Sequence, residues 1–150
     1  MAQTAPDRAQ LTDIVAVRLR RVHQRPTTNR TARVDALLAA GRPITIPELM
    51  ESRPGLAQSS VYRNLLVLEQ AGIVHRIVTS DEFARFELAE DLTGHHHHVI
   101  CTRCGSVEDV PASPALERSL HTTIDQLASE TGFSVRQHRL DLVGLCRDCA

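Results

Sequence analysis

The sequence predicts an α+β chain built as two small units, one over residues 1–90 and one over residues 91–150. Three observations predict it. Helical periodicity fills the first third and gives way to two short alternating runs before residue 90. Four cysteines form two CxxC pairs that bracket the last third. Charge divides at nearly the same place: residues 1–86 carry 12 Arg against 8 acids, and residues 87–150 carry 5 Arg against 10 acids. The chain has no Lys, so every basic side chain is a guanidinium that can fork onto phosphate. The first part suits a polyanion. The second, with all four Cys and six of the eight His, suits cations.

With 150 residues there is no room for a large catalytic architecture, and 42% hydrophobic against 23% charged residues is the balance of a folding chain. No apolar run approaches the roughly 18 to 20 residues needed to cross a bilayer. The start, MAQTAPDRAQ, lacks a basic segment followed by an apolar one. A cytoplasmic protein without a membrane partner is expected.

Leu11, Ile14, Val15, Leu19 and Val22 repeat at helical spacing. After Arg25-Pro26 a second helix is expected from near Thr28 to Gly41, with Val34, Leu37 and Leu38 inward. Thr45 and Glu48 have capping-box spacing, which starts a short third helix that stops by Pro54-Gly55. Ser59 or Ser60 can cap a fourth helix with Val61, Leu65 and Leu68 on its buried stripe and Gly72 past its end. Residues 73–78 and 83–88 then read as a hairpin around the turn Thr79-Ser80-Asp81-Glu82. Helices followed by such a hairpin have the order of a winged helix.

In a helix-turn-helix the second helix lies in the major groove while arginines around it hold phosphates. That assigns Ser59, Ser60, Tyr62 and Arg63 to the DNA face, Arg25 and Arg30 to the backbone or minor groove, and Arg76 to the wing. Tyr62 also reads as a partly buried core aromatic, and Arg30 and Arg63 as solvated helix charges.

The pairs Cys101–Cys104 and Cys146–Cys149, with 41 residues between them, have the spacing for one tetrahedral zinc that clasps a small domain. Disulfides are disfavoured without a secretory signal, and a redox CxxC leaves the second pair unexplained. Extended, the run His95-His96-His97-His98 points alternate rings to opposite faces, so one segment can feed two sites for zinc, ferrous iron, manganese or nickel. Beyond it, residues 107–110 read as a strand. Ser113-Pro114 starts a helix with Leu116, Leu120, Ile124 and Leu127 on one side, and residues 133–143 read as a long strand. This unit buries little by itself, so a two-fold homodimer completes it and presents two winged helices to palindromic double-stranded DNA.

The chain resembles the ferric uptake regulator family of metal-dependent bacterial transcription factors over roughly residues 11–149. The resemblance is carried by Arg25-Pro-Thr-Thr-Asn-Arg30, Ser60-Val-Tyr-Arg-Asn-Leu65, Ala71-Gly-Ile-Val74, Phe86-Glu-Leu88, and His95 through Gly105 with the terminal CxxC. It implies a homodimeric repressor, a structural zinc on Cys101, Cys104, Cys146 and Cys149, and a regulatory metal at the hinge that closes the dimer onto operator DNA. By the same resemblance Glu87, His96 and His98 belong to the regulatory site, with Asp109 or His75 completing it. A further site comprises His95, His97, Glu117 and His138. Many iron and peroxide sensors add a His before the third helix, where this chain has Gly41-Arg-Pro-Ile44. His75 lies where the zinc-sensing branch places a ligand, so zinc is the preferred regulatory ion. The absence of a Cys beside Glu87 keeps iron, manganese, nickel and peroxide sensing open.

A zinc hydrolase or deaminase is disfavoured, because four protein ligands leave no position for activated water and the HxE with PCxxC pattern is absent. A metal buffer would leave the winged helix without a role.

Overall fold

A computed structural model of the chain describes residues 6–52, 54, 55, 57–79, 81 and 83–150. Helix α1, Arg8–Arg21, starts on a capping box in which Asp7 accepts from the Gln10 amide and the Gln10 side chain accepts from the Asp7 amide. Its buried stripe is Leu11, Val15 and Leu19. Helix α2, Thr28–Ala40, is capped by Thr27 and ends on Gly41 in the left-handed region. Strand β1, Ile44–Thr45, leads directly into α3, Ile46–Ser52, through the expected capping box: Glu48 accepts from the Thr45 amide at 2.7 Å.

Helix α4, Gln58–Gln70, buries Val61, Leu65 and Leu68 as the spacing requires. Neither Ser59 nor Ser60 caps it. The cap position is Ala57, which offers no side-chain hydrogen bond, and both serines lie inside the first turn. Gly72 has a φ of 66°, the left-handed turn that lets the chain reverse into β2, Val74–Ile77. Strand β3, Arg85–Leu88, returns antiparallel with His75 opposite Glu87, and β1 pairs its other edge, giving the order β1-β3-β2. Of the expected turn, Ser80 and Glu82 lie outside the described residues.

Phe86, Leu88 and Leu92 close a core with Leu19, Leu37, Leu49 and Leu65, so helices and wing form one packed unit. Leu92 comes from a short helix the sequence did not suggest, α5, Glu90–Thr93. Next, β4, His96–Cys101, lies between antiparallel β5, Val107–Pro111, and parallel β6, Asp141–Gly144. Between β5 and β6 runs α6, Pro114–Thr131, capped by Ser113 and stopped at Gly132.

The long strand expected over residues 133–143 is confined to Asp141–Gly144; among the described residues, backbone pairing with β4 begins only at the Leu140 carbonyl, which accepts from the His98 amide at 3.4 Å. The stripe on α6 is present but buries nothing: Leu127 is 50% exposed and no α6 residue is buried. Among the described residues, no helix is long and apolar enough to cross a membrane.

Candidate metal centres and nucleic-acid face

Alternation along β4 sends His96 and His98 to one face and His95 and His97 to the other. On the first face, β3 contributes Glu87 and β5 contributes Asp109, which is directly opposite His98 in the ladder. Their ligand atoms all lie within 4.8 Å of one another. Glu87 Oε2 is 3.2 Å from His96 Nε2 and 3.1 Å from His98 Nε2, and Asp109 is 3.8 Å from each ring.

Burial pushes the Glu87 carboxyl up, but hydrogen bonds from His96 and His98 outweigh it and bring it down to about 2. The hydrogen bond to Glu87 lifts His96 to about 9 against the effect of burial. His98 is lowered by burial but raised overall by Glu87 and Asp141, and burial raises Asp109. Glu87 is thus held as a carboxylate that favours the protonated form of both rings facing it. The outer nitrogens are fixed as well: His96 Nδ1 is 2.8 Å from the Gly94 carbonyl and His98 Nδ1 is 3.2 Å from Asp141. His75 is directly across the ladder from Glu87 but does not join the gathered group; Asp109 does.

On the opposite face, His95, His97, Glu117 and His138 form a second group of the same tightness. Glu117 is at its centre, 2.8 Å from His97, 3.3 Å from His95 and 3.5 Å from His138. Burial raises the Glu117 carboxyl, and its imidazole neighbours, His97 foremost, bring it down overall. His138 Nε2 is buried without hydrogen-bond geometry to any partner, as is His97 Nδ1. An inward-facing imidazole nitrogen without a proton partner is what a cation site requires. His95 is steadied from behind by Glu90 at 2.8 Å.

The third group is Cys101, Cys104, Cys146 and Cys149, all reduced and mutually within 4.8 Å. Backbone amides of Cys104 and Cys146 aim at the Cys101 sulfur and bring its thiol down to about 6. Cys149 faces the other sulfurs, Cys146 first, and is pushed up to about 12. Four sulfurs this close ionise together only around a cation, and a closed tetrahedral thiolate set fits zinc.

On the DNA-facing assignment, Ser59, Tyr62 and Arg63 on α4 and Arg25 and Arg76 elsewhere are exposed; Tyr62 is 40% exposed and lies outside the main core cluster. Ser60 is half-buried. Arg30 is half-buried too and donates to the Arg25 carbonyl at 2.6 Å and to Gln24 at 2.8 Å, so it clasps the α1–α2 loop. Sequence reasoning missed the partners behind the imidazoles, Gly94, Glu90 and Asp141. Only Glu90 carried a local signal, as a carboxylate five residues before His95.

Fold and site define a winged-helix protein in which, among the described residues, three side-chain clusters could each hold a cation. The sequence profile of the ferric uptake regulator family matches residues 44–143. The peroxide-responsive repressor PerR of Staphylococcus saprophyticus is 33% identical over 130 residues, 83% of this chain and 82% of its own. The Helicobacter pylori ferric uptake regulator superposes with a TM-score of 0.73 at 21% identity, over 94% of this chain and 92% of that one. A Pseudomonas aeruginosa ferric uptake regulator structure with manganese gives 0.68 at 25% identity, over 89% and 98%. The chain belongs to the ferric uptake regulator family, whose members are metal-responsive transcriptional regulators.

Proposed function

We propose that this chain is a cytoplasmic, homodimeric repressor that binds operator DNA when a divalent metal ion occupies the Glu87, His96, His98 and Asp109 group. The observation that carries the reading is that group itself: three elements from both sheets aim two imidazoles and two carboxylates at one point. A metal ion held there would supply a cross-link between the wing and the second sheet. Glu87 comes from the wing strand, and His96, His98 and Asp109 come from β4 and β5, so shared ligation fixes one unit against the other near residue 90. A head held at the correct angle loses less orientational freedom when it docks. Ser59, Ser60, Tyr62 and Arg63 read the groove, with Arg25, Arg30 and Arg76 on the backbone side. The cysteine cluster holds a structural zinc, and His95, His97, Glu117 and His138 hold a further ion.

Two copies are needed to cover the second unit. Leu127, Phe133 and Val143 are 50%, 75% and 65% exposed on one small domain, which supports pairing through α6 and β6.

For the regulatory ion, two imidazoles with two carboxylates form a mixed nitrogen and oxygen set without thiolate, which suits ferrous iron or manganese. The ferric uptake regulator structure with manganese supports the same choice, and the relatives named peroxide-responsive repressors support a peroxide response. Zinc is the second reading, supported by His75 across the ladder from Glu87.

The test is a titration of full-length dimer, cysteine-bound zinc retained, against duplexes selected from a random pool. Retardation is expected only with ferrous iron, manganese, zinc or nickel at buffered free concentrations, and His96→Ala is expected to remove that dependence. Binding indifferent to every metal, or unaltered in His96→Ala, overturns the reading.

A further inference from the structure

The wing also meets the cysteine end of the molecule, through contacts in which the metal groups take no part. Ile77, the last residue of β2, is 2% exposed because it packs with Ile100 and Val107 in a cluster separate from the main core. Those two residues flank the turn that carries Cys101 and Cys104. The turn is closed by the Cys101 amide donating to the Ser106 carbonyl and the Gly105 amide donating to the Cys101 carbonyl, both at 2.9 Å.

Gly105, with a φ of 70°, presents a bare backbone to the wing tip. A Cβ there would overlap the Asp81 carboxylate and approach Arg85 Nη2 to 2.9 Å. The carboxylate cannot easily retreat. Arg85, 7% exposed, donates to both of its oxygens at 2.8 Å and to Thr79 Oγ1 at 2.7 Å, while the Thr79 hydroxyl donates to Asp81.

We propose that Asp81 and Arg85, seated on Gly105, are positioning residues that latch the wing tip to the cysteine turn, so that the attitude of the wing follows the state of the four-sulfur cluster. The inference rests on the proposed DNA-binding function only for its consequence at DNA; the latch itself is a contact within the chain. The turn's shape depends on the gathered sulfurs, since Cys101 Sγ accepts the Cys146 amide at 3.4 Å from the far end of the domain. When the sulfurs part, Gly105 moves and the carboxylate loses its seat.

The test uses full-length protein and reads amide hydrogen exchange over residues 74–88 together with zinc content and affinity for selected duplex. Asp81→Ala and Gly105→Ala are each expected to speed wing exchange and weaken DNA binding by about tenfold, with zinc retained. The double variant is expected to fall short of the product of the two single effects, because removing the carboxylate removes what the new methyl group strikes first, while the left-handed backbone at residue 105 and the approach to Arg85 Nη2 remain. Effects that multiply, or singles with wild-type exchange, overturn the latch. Should Gly105→Ala lose zinc, chelation decides instead: stripping zinc is expected to speed wing exchange in the wild type and to add nothing in Asp81→Ala, and equal increments in both overturn the proposal. Wild-type protein that binds no duplex at all would remove the DNA-binding function and leave the exchange comparison to judge the latch.

Discussion

Glu87 and His98 meet across the two sheets, carboxylate oxygen to Nε2 at 3.1 Å, and the same oxygen serves His96. A single buried carboxylate thus joins wing strand to β4 before any ion arrives. Glu87→Gln keeps the shape but removes the charge that raises both rings and would balance a dication. Regulatory-metal affinity is expected to fall by more than about 100-fold, beyond what loss of an outer partner costs, with cysteine-bound zinc unchanged. Competition with a chromophoric chelator measures it, and wild-type affinity would remove Glu87 from the ligand set.

Asp141 acts through His98. Its carboxylate holds Nδ1 at 3.2 Å, which fixes the tautomer and turns Nε2 toward Glu87. Asp141→Asn is expected to weaken metal binding by about 10- to 100-fold and to spare dimerisation, as seen by the same competition assay alongside sedimentation. An unchanged affinity would mean that β4 packing alone orients the ring.

Much of this site could be read from the chain. Strict alternation assigns His95 and His97 to one face and His96 and His98 to the other, and CxxC spacing pairs the cysteines. Capping chemistry at Thr45 and Ser113 fixes two helix starts. Non-local pairing was not legible. Asp141 reaches His98 through a parallel ladder 43 residues away, and the choice between His75 and Asp109 depends on which strand closes over β4. The residues before Asp141 have strand-like alternation, but backbone pairing with β4 begins only at the Leu140 carbonyl, so pattern alone overstates the strand.

Arg63 is exposed on α4, one residue after Tyr62, and nothing in the core depends on it. Arg63→Ala is expected to leave the thermal midpoint within about 1 °C while weakening duplex binding. A base contact would cost about 1–3 kcal/mol and relax specificity at one position; a phosphate contact would reduce the salt slope by about one. Fluorescence anisotropy at several salt concentrations separates the two, and unchanged affinity removes Arg63 from the DNA face.

Leu127 lies half exposed on α6, a helix that buries nothing in the monomer. A charge there costs little in an isolated chain and several kcal/mol in an apolar interface. Leu127→Asp is expected to raise the dimer dissociation constant by at least about 100-fold, which sedimentation velocity across a dilution series reads directly. A variant that sediments as the wild type does would place the pairing surface elsewhere.

Asp81 gives the wing a pH signature. Hydrogen bonds from Arg85, assisted by Thr79, bring its carboxyl down to about 2 from an ordinary 3.8. The folded state therefore holds the proton less readily than the unfolded one, and the stability this confers is complete above about pH 4 and lost as pH falls toward 2. Asp81→Asn removes the titration while keeping the side-chain volume. The gap between wild-type and variant urea midpoints is expected to be constant from pH 7 to about 4.5 and to close between about 4 and 2. Comparing the two proteins at each pH cancels the histidine and cysteine titrations they share. A gap that persists at pH 2, or one already closed at pH 5, would show that Arg85 does not hold the carboxylate in its charged form.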